Sequence, residues 1–280
     1  MLQFVDDRVR PSRGSAGASG GLRARLNRVW RGYNNAIWRL VGPVPRTTLF
    51  DPHFLGRYPF NRELRAIAGV ATGLLLDIGC GQKPFRSFLA PSRYIGLDMA
   101  RFSGGMADAV PAADVFGDGA ALPFRDSSLD TVVAFQILEH TAEPASVLRE
   151  AHRVLRSGGA VIVTAPQSYP MHGVPYDFYR YTAHGLRHLL EAAGFTVGSI
   201  RPNGSFGAYL GLMINIYLFQ HFFEFRRRYW VKLGLGVLKI LLTPLILLVV
   251  FLVNLTGLLL DWLFDDPYFT SNYTAVARKP

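Results

Sequence analysis

Cysteine is nearly absent from this chain, which contains a single one, Cys80, in 280 residues. One cysteine excludes an intramolecular disulfide and any metal site built from a cluster of cysteines. The N-terminal segment also lacks the apolar core of a secretory signal peptide. These absences favour a reducing compartment over a secreted, disulfide-bonded fold.

Acidic residues are few in comparison with basic ones, 20 against 30, so the formal net charge is +10. A basic chain binds nucleic acid or anionic lipid. The sequence contains no recognisable nucleic-acid-binding motif. Half of the residues are hydrophobic, and the surplus lies in the C-terminal third. We therefore predict membrane lipids, and no nucleic acid, as partners.

Charged residues are missing between Ile240 and Leu260, a run of 21 residues that is long enough to span a bilayer. A weaker apolar segment, 207–225, precedes this run, and Arg226-Arg227-Arg228 separates the two. Buried helices in a soluble bundle are an alternative interpretation. The density of Leu, Ile and Val favours membrane contact.

The N-terminal part divides into two stretches. Residues 1–21 are small and polar and predict a disordered segment. Residues 22–41 predict a helix that carries arginines and tryptophans, and a linker follows it to residue 60. Such a helix either lies on an anionic bilayer or packs its apolar face on the main domain, and both interpretations stay open.

Between residues 73 and 202, short apolar strands alternate with helices. This alternation predicts right-handed crossovers and a parallel sheet that helices cover on both faces. The predicted strands are 73–78, 93–97, 113–116, 129–134, 159–165 and 195–201, and the predicted helices are 61–70, 84–90, 143–156 and 182–193.

Three turns with acidic residues or glycines follow the predicted strands in order. The first strand contains Asp77 and runs into the turn Gly79-x-Gly81, where backbone can approach a ligand closely. Asp98 ends the second strand and suits ribose hydroxyls, and Asp118 suits an adenine amine. Each feature alone occurs in ordinary turns, but three in order predict a nucleotide-type cofactor. A dinucleotide fingerprint needs a third glycine where Pro84 stands, which disfavours NAD.

These turns and two later motifs resemble the ordered motifs of class I S-adenosylmethionine (SAM)-dependent methyltransferases, in the type 11-like branch that acts on small molecules. The motifs are Leu74–Gly81, Tyr94–Asp98, Gly117–Phe124, Asp130–His140 and Leu155–Gly159. The resemblance covers roughly residues 60–202 and implies SAM as the cofactor. It also implies a Rossmann-like α/β sheet that is mostly parallel, with an antiparallel last strand. The chain departs from the family in lacking a third glycine in the first loop and in having Arg-Ser where Lys-Pro is usual before the last glycine pair.

The resemblance implies which residues hold the cofactor. The first turn would shape the site under the methionine part of SAM, Asp98 would bind the ribose, and Asp118 would bind the adenine amine. The residues after the fourth strand usually contact the cofactor and face the substrate. The predicted cofactor set is Asp77, Gly79, Cys80, Gly81, Asp98, Met99, Asp118, Gly119, Phe135 and Gln136.

The segment from Pro166 to Thr182 is the candidate acceptor-binding stretch. It is aromatic and resembles the Pro-Tyr-Asp-Phe-x-Arg-Tyr-Thr segment of methyltransferases found with cell-surface polysaccharide genes. We predict His172 as the base that takes a proton from an oxygen nucleophile, helped by Asp177, with His140 as a second candidate. The alternative is structural, with the aromatic residues packed as a lid and His140 bonded to backbone. No metal site is predicted.

The tail 268–280 predicts the final strand of the sheet, so the apolar stretch 205–267 is an insertion after the cofactor-binding domain 61–204. Both ends of the insertion then lie on one side of the membrane, which excludes a single crossing. Two crossings would put the arginines 226–228 outside, against the positive-inside tendency. We therefore prefer a hairpin or in-plane helices in the cytoplasmic leaflet, with two crossings as the alternative.

The predicted function is that of a membrane-associated methyltransferase whose catalytic domain faces the cytoplasm. SAM would donate a methyl group to an oxygen of a lipid-linked glycan, a quinone or a related small molecule. Two alternatives stay open, namely a catalytically silent membrane scaffold with this fold and an NAD-dependent oxidoreductase.

Overall fold

The computed structural model of the protein describes residues 47–89, 91–99, 111–225, 236–266 and 268–280, together with Gly32. The predicted disordered segment 1–21, the predicted helix 22–41 apart from Gly32, and the arginines 226–228 lie outside the described residues.

Seven strands form one sheet within the described ranges. They are β1 (Leu74–Ile78), β2 (Arg93–Asp98), β3 (Val115–Phe116), β4 (Leu129–Phe135), β5 (Leu155–Pro166), β6 (Thr196–Pro202) and β7 (Asn272–Arg278). Their order is β3-β2-β1-β4-β5-β7-β6. The pairs among β1 to β5 are parallel, and β7 runs antiparallel to both β5 and β6. The predicted α/β sheet with an antiparallel last strand is confirmed.

Five α-helices lie in the same described ranges. They are α1 (Phe54–Ala66), α2 (Pro144–Val154), α3 (Ala183–Ala192), α4 (Phe206–Phe219) and α5 (Gly236–Leu263). The first helix begins seven residues before its predicted start. The helix predicted at 84–90 is only a 3-10 turn, Arg86–Phe88, because the backbone is already extended at Leu89, with φ of −103° and ψ of 145°.

Alternate strand residues face two helical layers, as the two-residue period of a strand requires. Leu75, Val133 and Ile162 pack in one cluster with Phe60 and Leu64 of α1. On the other face, the neighbouring strand residues pack with α2 and α3 in the larger cluster. Both faces of the sheet are therefore covered, and ligands have access at the edge where the parallel strands end.

The helices α4 and α5 follow β6 and precede β7, and they pack against each other antiparallel. At one end, a Cβ on Gly207 would lie 2.5 Å from the Gly257 carbonyl oxygen, so the two backbones need glycine for their close approach. In the middle, buried Asn215 donates a 2.8 Å side-chain hydrogen bond to Asn254. The two helices form a hairpin that leaves the sheet after β6 and returns to it before β7.

The globular part of the chain covers one side of this hairpin. Leu55 of α1 reaches into the α4–α5 contact beside Gly211 and Gly257. Asn254, in the second half of α5, donates hydrogen bonds of 2.8 and 2.9 Å to the carbonyl oxygens of Leu49 and Asp51. These contacts fix α4 and the second half of α5 against α1 and the residues just before it.

Candidate cofactor and acceptor site

The turn after β1 brings backbone to the edge of the sheet. Gly79 and Gly81 have positive φ of 70° and 50°, a conformation that glycine adopts without strain. A Cβ on Gly79 would lie 2.0 Å from the Ile137 side chain, whereas no described atom lies within 4 Å of a Cβ built on Gly81. The first glycine therefore serves close packing, and the second borders space that a ligand can fill.

Asp98 lies at the end of β2 and faces this turn. Its Oδ2 accepts a 2.7 Å hydrogen bond from the Gly81 amide, and its Oδ1 accepts one of 2.7 Å from the Met99 amide. A carboxylate has about four lone-pair positions, so each oxygen retains one for a further donor. The side chain is thus fixed by backbone and still able to bind a pair of hydroxyls.

Asp77 is a buried acid near the end of β1, with 3% of its surface exposed. The Tyr94 hydroxyl donates a short hydrogen bond to its Oδ2. Burial raises the pKa of Asp77 to about 7, the Tyr94 hydrogen bond opposes this rise, and the Asp98 charge adds to it. Lys83, a cation of the same loop, pairs with Asp114 at 2.7 Å. Asp77 is therefore suited to a cationic ligand group, which would favour its ionised form.

Three other predicted cofactor residues lie at the same edge of the sheet. Asp118 is exposed, and its Oδ1 accepts a 2.9 Å hydrogen bond from the Ala120 amide. A Cβ on Gly119 would lie 2.8 Å from Ile78, so glycine lets this backbone pack against β1. Cys80 is buried, and burial with the Asp77 charge raises the pKa of its thiol to about 12. Because the Cys80 thiol stays neutral, it packs against its neighbours and adds no charge to the site.

The last two predicted cofactor residues direct their side chains into the protein. Phe135 is buried in the cluster under α1, and its ring lies 5.6 Å from the Phe85 ring. Gln136 donates side-chain hydrogen bonds of 3.0 Å to Thr164 and 2.8 Å to Asn272. The Phe135 side chain thus packs in the core, and the Gln136 side chain bonds to neighbouring strands. Only the Gln136 backbone, with φ of 56°, lies in the turn after β4.

Replacing Asp77 by asparagine is expected to change how stability depends on pH. The folded chain holds the Asp77 proton up to about pH 7, whereas the ordinary value is 3.8. Its contribution to stability is therefore full below pH 3.8 and is lost as the pH rises through about 7. Between pH 5 and pH 8 the wild type should lose about 2–3 kcal/mol of unfolding free energy relative to Asp77→Asn.

Urea unfolding in mild detergent without cofactor, at both pH values, checks this expectation. Asp126→Asn is the matched control, because the Asp126 side chain is 76% exposed. Equal pH dependence in the wild type and in Asp77→Asn would show that burial does not hold the Asp77 proton.

A second group of polar residues follows β4 and β5. Glu139 and His140 lie in the 3-10 turn Leu138–His140, and His172 lies in the segment after β5. The Nε2 atoms of both histidines are 4.0 Å from Oε1 of Glu139, and the two imidazole rings are 4.7 Å apart. Burial raises the pKa of Glu139 to about 8, and burial with the nearby His140 lowers the pKa of His172 to about 4. The structure thus brings together both predicted histidines and adds Glu139.

Asp177 contacts His172 mainly through backbone. Its Oδ2 accepts a 2.9 Å hydrogen bond from the His172 amide, whereas His172 Nδ1 is 3.6 Å from that oxygen and 3.2 Å from the Pro170 carbonyl oxygen. Arg180 holds both Asp177 oxygens at 2.6 and 2.8 Å. Burial raises the Asp177 pKa, but the Arg180 and His172 hydrogen bonds outweigh it and hold the pKa below its usual range. Asp177 therefore fixes the segment more directly than it orients the imidazole.

The aromatic segment is bound to the turn after β4 by several hydrogen bonds. The Phe178 amide donates to the Glu139 carbonyl oxygen at 2.8 Å, and the Tyr181 hydroxyl donates to the Leu138 carbonyl oxygen at 2.9 Å. The Tyr176 carbonyl oxygen accepts a 2.8 Å hydrogen bond from Nδ1 of His140. The segment covers the ends of β4 and β5, where open α/β sheets bind their ligands.

Comparison with known proteins identifies the segment that carries these turns. The family model described as "Methyltransferase domain" matches residues 76–163. Residues 76–163 belong to a methyltransferase domain. The predicted resemblance to SAM-dependent methyltransferases is confirmed for this segment.

Two curated relatives and one solved structure are similar to the chain. A probable S-adenosylmethionine-dependent methyltransferase of Mycolicibacterium smegmatis is 35% identical over 135 residues, 44% of this chain and 52% of the relative. A ubiquinone biosynthesis O-methyltransferase of Pseudomonas aeruginosa is 30% identical over 137 residues, 44% of this chain and 55% of the relative. A putative methyltransferase structure from Bacillus halodurans is 17% identical, with a TM-score of 0.45 over 79% of this chain and 98% of that one. The chain thus spans about half the length of the curated relatives that it matches.

Two residues of the methyltransferase domain, Glu139 and Tyr94, have contacts that the sequence alone does not indicate. Glu139 lies in the motif Asp130–His140, but its burial between two histidines depends on His172, which comes from the later segment after β5. Tyr94, the partner of Asp77, stands at the start of a strand, where an aromatic residue predicts only packing. Neither residue carried a local signal beyond its type.

Proposed function

We propose that the protein is a membrane-associated SAM-dependent methyltransferase that transfers a methyl group to an oxygen of a lipid-linked or other small-molecule acceptor. The observation that carries this proposal is the Asp98 carboxylate, fixed by the Gly81 amide at the end of β2 inside the matched methyltransferase segment. Its remaining acceptor positions and the open space at Gly81 fit a ligand that carries ribose hydroxyls.

The residues of this edge fit SAM, which is rich in donors and positive charge. Asp98 would accept hydrogen bonds from the ribose, Asp118 would accept from the adenine amine, and Asp77 would lie on the side of the methionine ammonium. When bound, SAM supplies an activated methyl group on a sulfonium that leaves as a neutral thioether. The residues of the chain need only hold the donor and acceptor in line and exclude water.

An oxygen acceptor must also lose a proton as the new oxygen–carbon bond forms. Among the described side chains after β4 and β5, the imidazoles of His140 and His172 are suited to receive it, and the Nε2 atom of each lies 4.0 Å from Oε1 of the buried Glu139. Burial lowers the pKa of His172 to about 4, so its ring is neutral at pH 7 but is a weaker base than a free histidine. Asp177 and Arg180 hold the loop that carries this histidine.

Two features support a lipid or lipid-linked acceptor. The Pseudomonas aeruginosa relative is a ubiquinone biosynthesis O-methyltransferase by name. The helix α5 contains one span, Leu241–Leu263, that is long and apolar enough to cross a membrane. A bilayer-bound enzyme would meet such an acceptor at the membrane surface.

The contacts of the hairpin support in-plane binding rather than crossing. Asn254 of α5 bonds to backbone at Asp51, which forms a 2.6 Å ion pair with Arg57. A full crossing would carry this ion pair to bilayer depth, where charge is expensive. In-plane helices keep it on the cytoplasmic side. Protease added to the outer face of sealed cells should then leave residues 226–232 uncut, and cleavage there would favour two crossings.

Transfer of label from methyl-tritiated SAM into the lipid fraction of host membranes tests the function. We expect labelled lipid with the wild type and none with Asp98→Asn, which cannot form the charged ribose contact. Intact SAM binding without labelled lipid would contradict the lipid-acceptor proposal and favour a soluble acceptor or a silent scaffold. Absence of SAM binding, with nicotinamide dinucleotide bound instead, would favour an oxidoreductase.

A further inference from the structure

Glu139 is a fully buried carboxyl group without an ordinary partner. Its exposed fraction is 0%, and neither oxygen receives a hydrogen bond of normal geometry from a described residue. Its own amide and the Arg180 charge oppose the rise in its pKa that burial causes, but neither forms a hydrogen bond of normal geometry with the carboxyl group. A buried polar group without a partner is costly, so an unpaired acid at a ligand-binding edge calls for a binding partner.

The two histidines next to this acid are oriented by carbonyl groups. Nδ1 of His140 lies 2.8 Å from the Tyr176 carbonyl oxygen, and Nδ1 of His172 lies 3.2 Å from the Pro170 carbonyl oxygen. A carbonyl oxygen only accepts, so each Nδ1 carries the proton and each Nε2 carries a lone pair. Both Nε2 atoms lie 4.0 Å from Oε1 of Glu139. A metal-binding histidine commonly donates its other ring N–H to a backbone carbonyl oxygen, which fixes the orientation of the ring. The Nδ1 atoms of His140 and His172 make this contact.

We propose that Glu139, His140 and His172 bind a divalent transition-metal ion. One ligand atom from each residue lies within 4.8 Å of the other two. Zinc bonds of about 2.0–2.1 Å place ligand atoms roughly 3.3 Å apart, so the side chains need to move together by roughly an ångström. Two imidazoles and one carboxylate suit Zn²⁺ and other divalent first-row metals.

The site joins two parts of the acceptor-binding edge. Glu139 and His140 follow β4, and His172 follows β5. Three protein ligands leave at least one coordination position for water or another oxygen. The histidine side chains are 8% and 12% exposed and Glu139 is 0% exposed, so an open coordination position would lie on the histidine side of the site. The metal ion would therefore fasten the aromatic segment to the turn after β4.

The open coordination position also gives the metal a role in methyl transfer. This part of the proposal rests on the proposed function. An acceptor hydroxyl held beside the ion would lose its proton to solvent more readily, because a metal lowers the pKa of a bound oxygen. The acceptor oxygen would form its bond to the methyl carbon as the carbon–sulfur bond of the sulfonium breaks. His172 then acts as a ligand, and Asp177 with Arg180 positions it.

A second pair of histidines provides the control for metal binding. His184 and His188 are exposed on α3 and lie four residues apart, a spacing that can hold zinc on a helix surface. They are far along the chain from the 3-10 turn and form no group with Glu139 in the described residues. Changing both to glutamine removes surface binding and leaves the proposed site intact.

Zinc content, measured by mass spectrometry, tests the proposal. The full chain is purified in detergent, stripped of metal with a chelator, supplied with Zn²⁺ and then dialysed. We expect one zinc ion per chain in the wild type and in His184→Gln/His188→Gln, and nearly none in Glu139→Gln or His172→Gln. The proposal is wrong if the wild type retains no zinc, if only the surface variant loses it, or if both site variants retain it.

Two further measurements separate loss of binding from loss of folding. Co²⁺ in place of Zn²⁺ gives visible absorption bands that report its ligand geometry in the wild type without any substitution. SAM titration on the same samples reports the cofactor site. Zinc absent with SAM bound would overturn the metal site alone, and zinc bound with SAM absent would overturn the proposed function alone.

Discussion

Replacing Asp98 by asparagine should weaken SAM binding by roughly 100-fold. The carboxylate would accept two hydrogen bonds from ribose hydroxyls, and hydrogen bonds to a charged group contribute about 1.5–3 kcal/mol each. The asparagine side chain retains one acceptor oxygen and directs an amide donor at either Gly81 or the ribose. A loss of about 3 kcal/mol corresponds to roughly 100-fold in the dissociation constant.

Titration calorimetry with SAM measures this effect on the detergent-purified chain. Asp126→Asn makes the same chemical change before the start of β4, at the opposite edge of the sheet, and should alter the dissociation constant by less than about twofold. Unchanged SAM affinity in Asp98→Asn, with the variant folded by circular dichroism, would exclude Asp98 from the cofactor site.

The sheet could be predicted because its strands carry a strong local signal. Short runs such as Leu74–Ile78 are almost wholly apolar, which is typical of strands covered on both faces. The turn glycines mark where those strands end, and strand ends on a parallel sheet meet at one edge. The order of the strands along the sequence was therefore enough to predict that Asp77, Asp98 and Asp118 lie at the same edge of the sheet.

Side-chain direction at that edge could not be predicted in the same way. Phe135 and Gln136 stand at the right sequence position for cofactor contact, but their side chains fill the cluster under α1 and bond to β5 and β7. Direction depends on neighbours from distant strands, which no local pattern encodes. The cluster around Glu139 was missed for the same reason, because His172 comes from another loop.

The position of the hairpin was predictable, but its mode of packing was not. The apolar composition and the strand-like tail placed an insertion before β7. Asn254, a polar residue in an apolar run, bonds through its side chain to backbone just before α1, about 200 positions earlier in the chain. That contact is what favours in-plane binding over crossing.

Six leucines form a continuous stripe on the outer face of α5. They follow steps of four and three residues, which keeps them on one side of a helix. Each is 49–69% exposed, whereas Val250 and Asn254 between them are 0% exposed against the rest of the protein. The stripe consists of Leu241, Leu245, Leu248, Leu252, Leu255 and Leu259. An apolar face of this length on an otherwise folded protein indicates a bilayer or partner contact.

Placing glutamate at Leu248 and Leu255 should release the protein from membranes. Both side chains point away from the protein, so the folded state should tolerate the change. Burying a leucine contributes about 1.5–3 kcal/mol, so the two losses together with two added charges should lower vesicle binding by at least roughly 100-fold. Flotation with vesicles of phosphatidylglycerol and phosphatidylcholine measures the bound fraction.

Glutamate at His184 and His188 adds the same charges to the exposed face of α3 and should leave flotation nearly unchanged. If Leu248→Glu/Leu255→Glu floats like the wild type, the stripe does not contact lipid. If both variants detach equally, charge rather than the apolar face governs binding. Release of the stripe variant alone would mean that α5 lies along the membrane surface with its leucines in the acyl region. The parallel strand ends of the methyltransferase domain would then be held at the membrane surface, where the proposed lipid acceptor would be within reach.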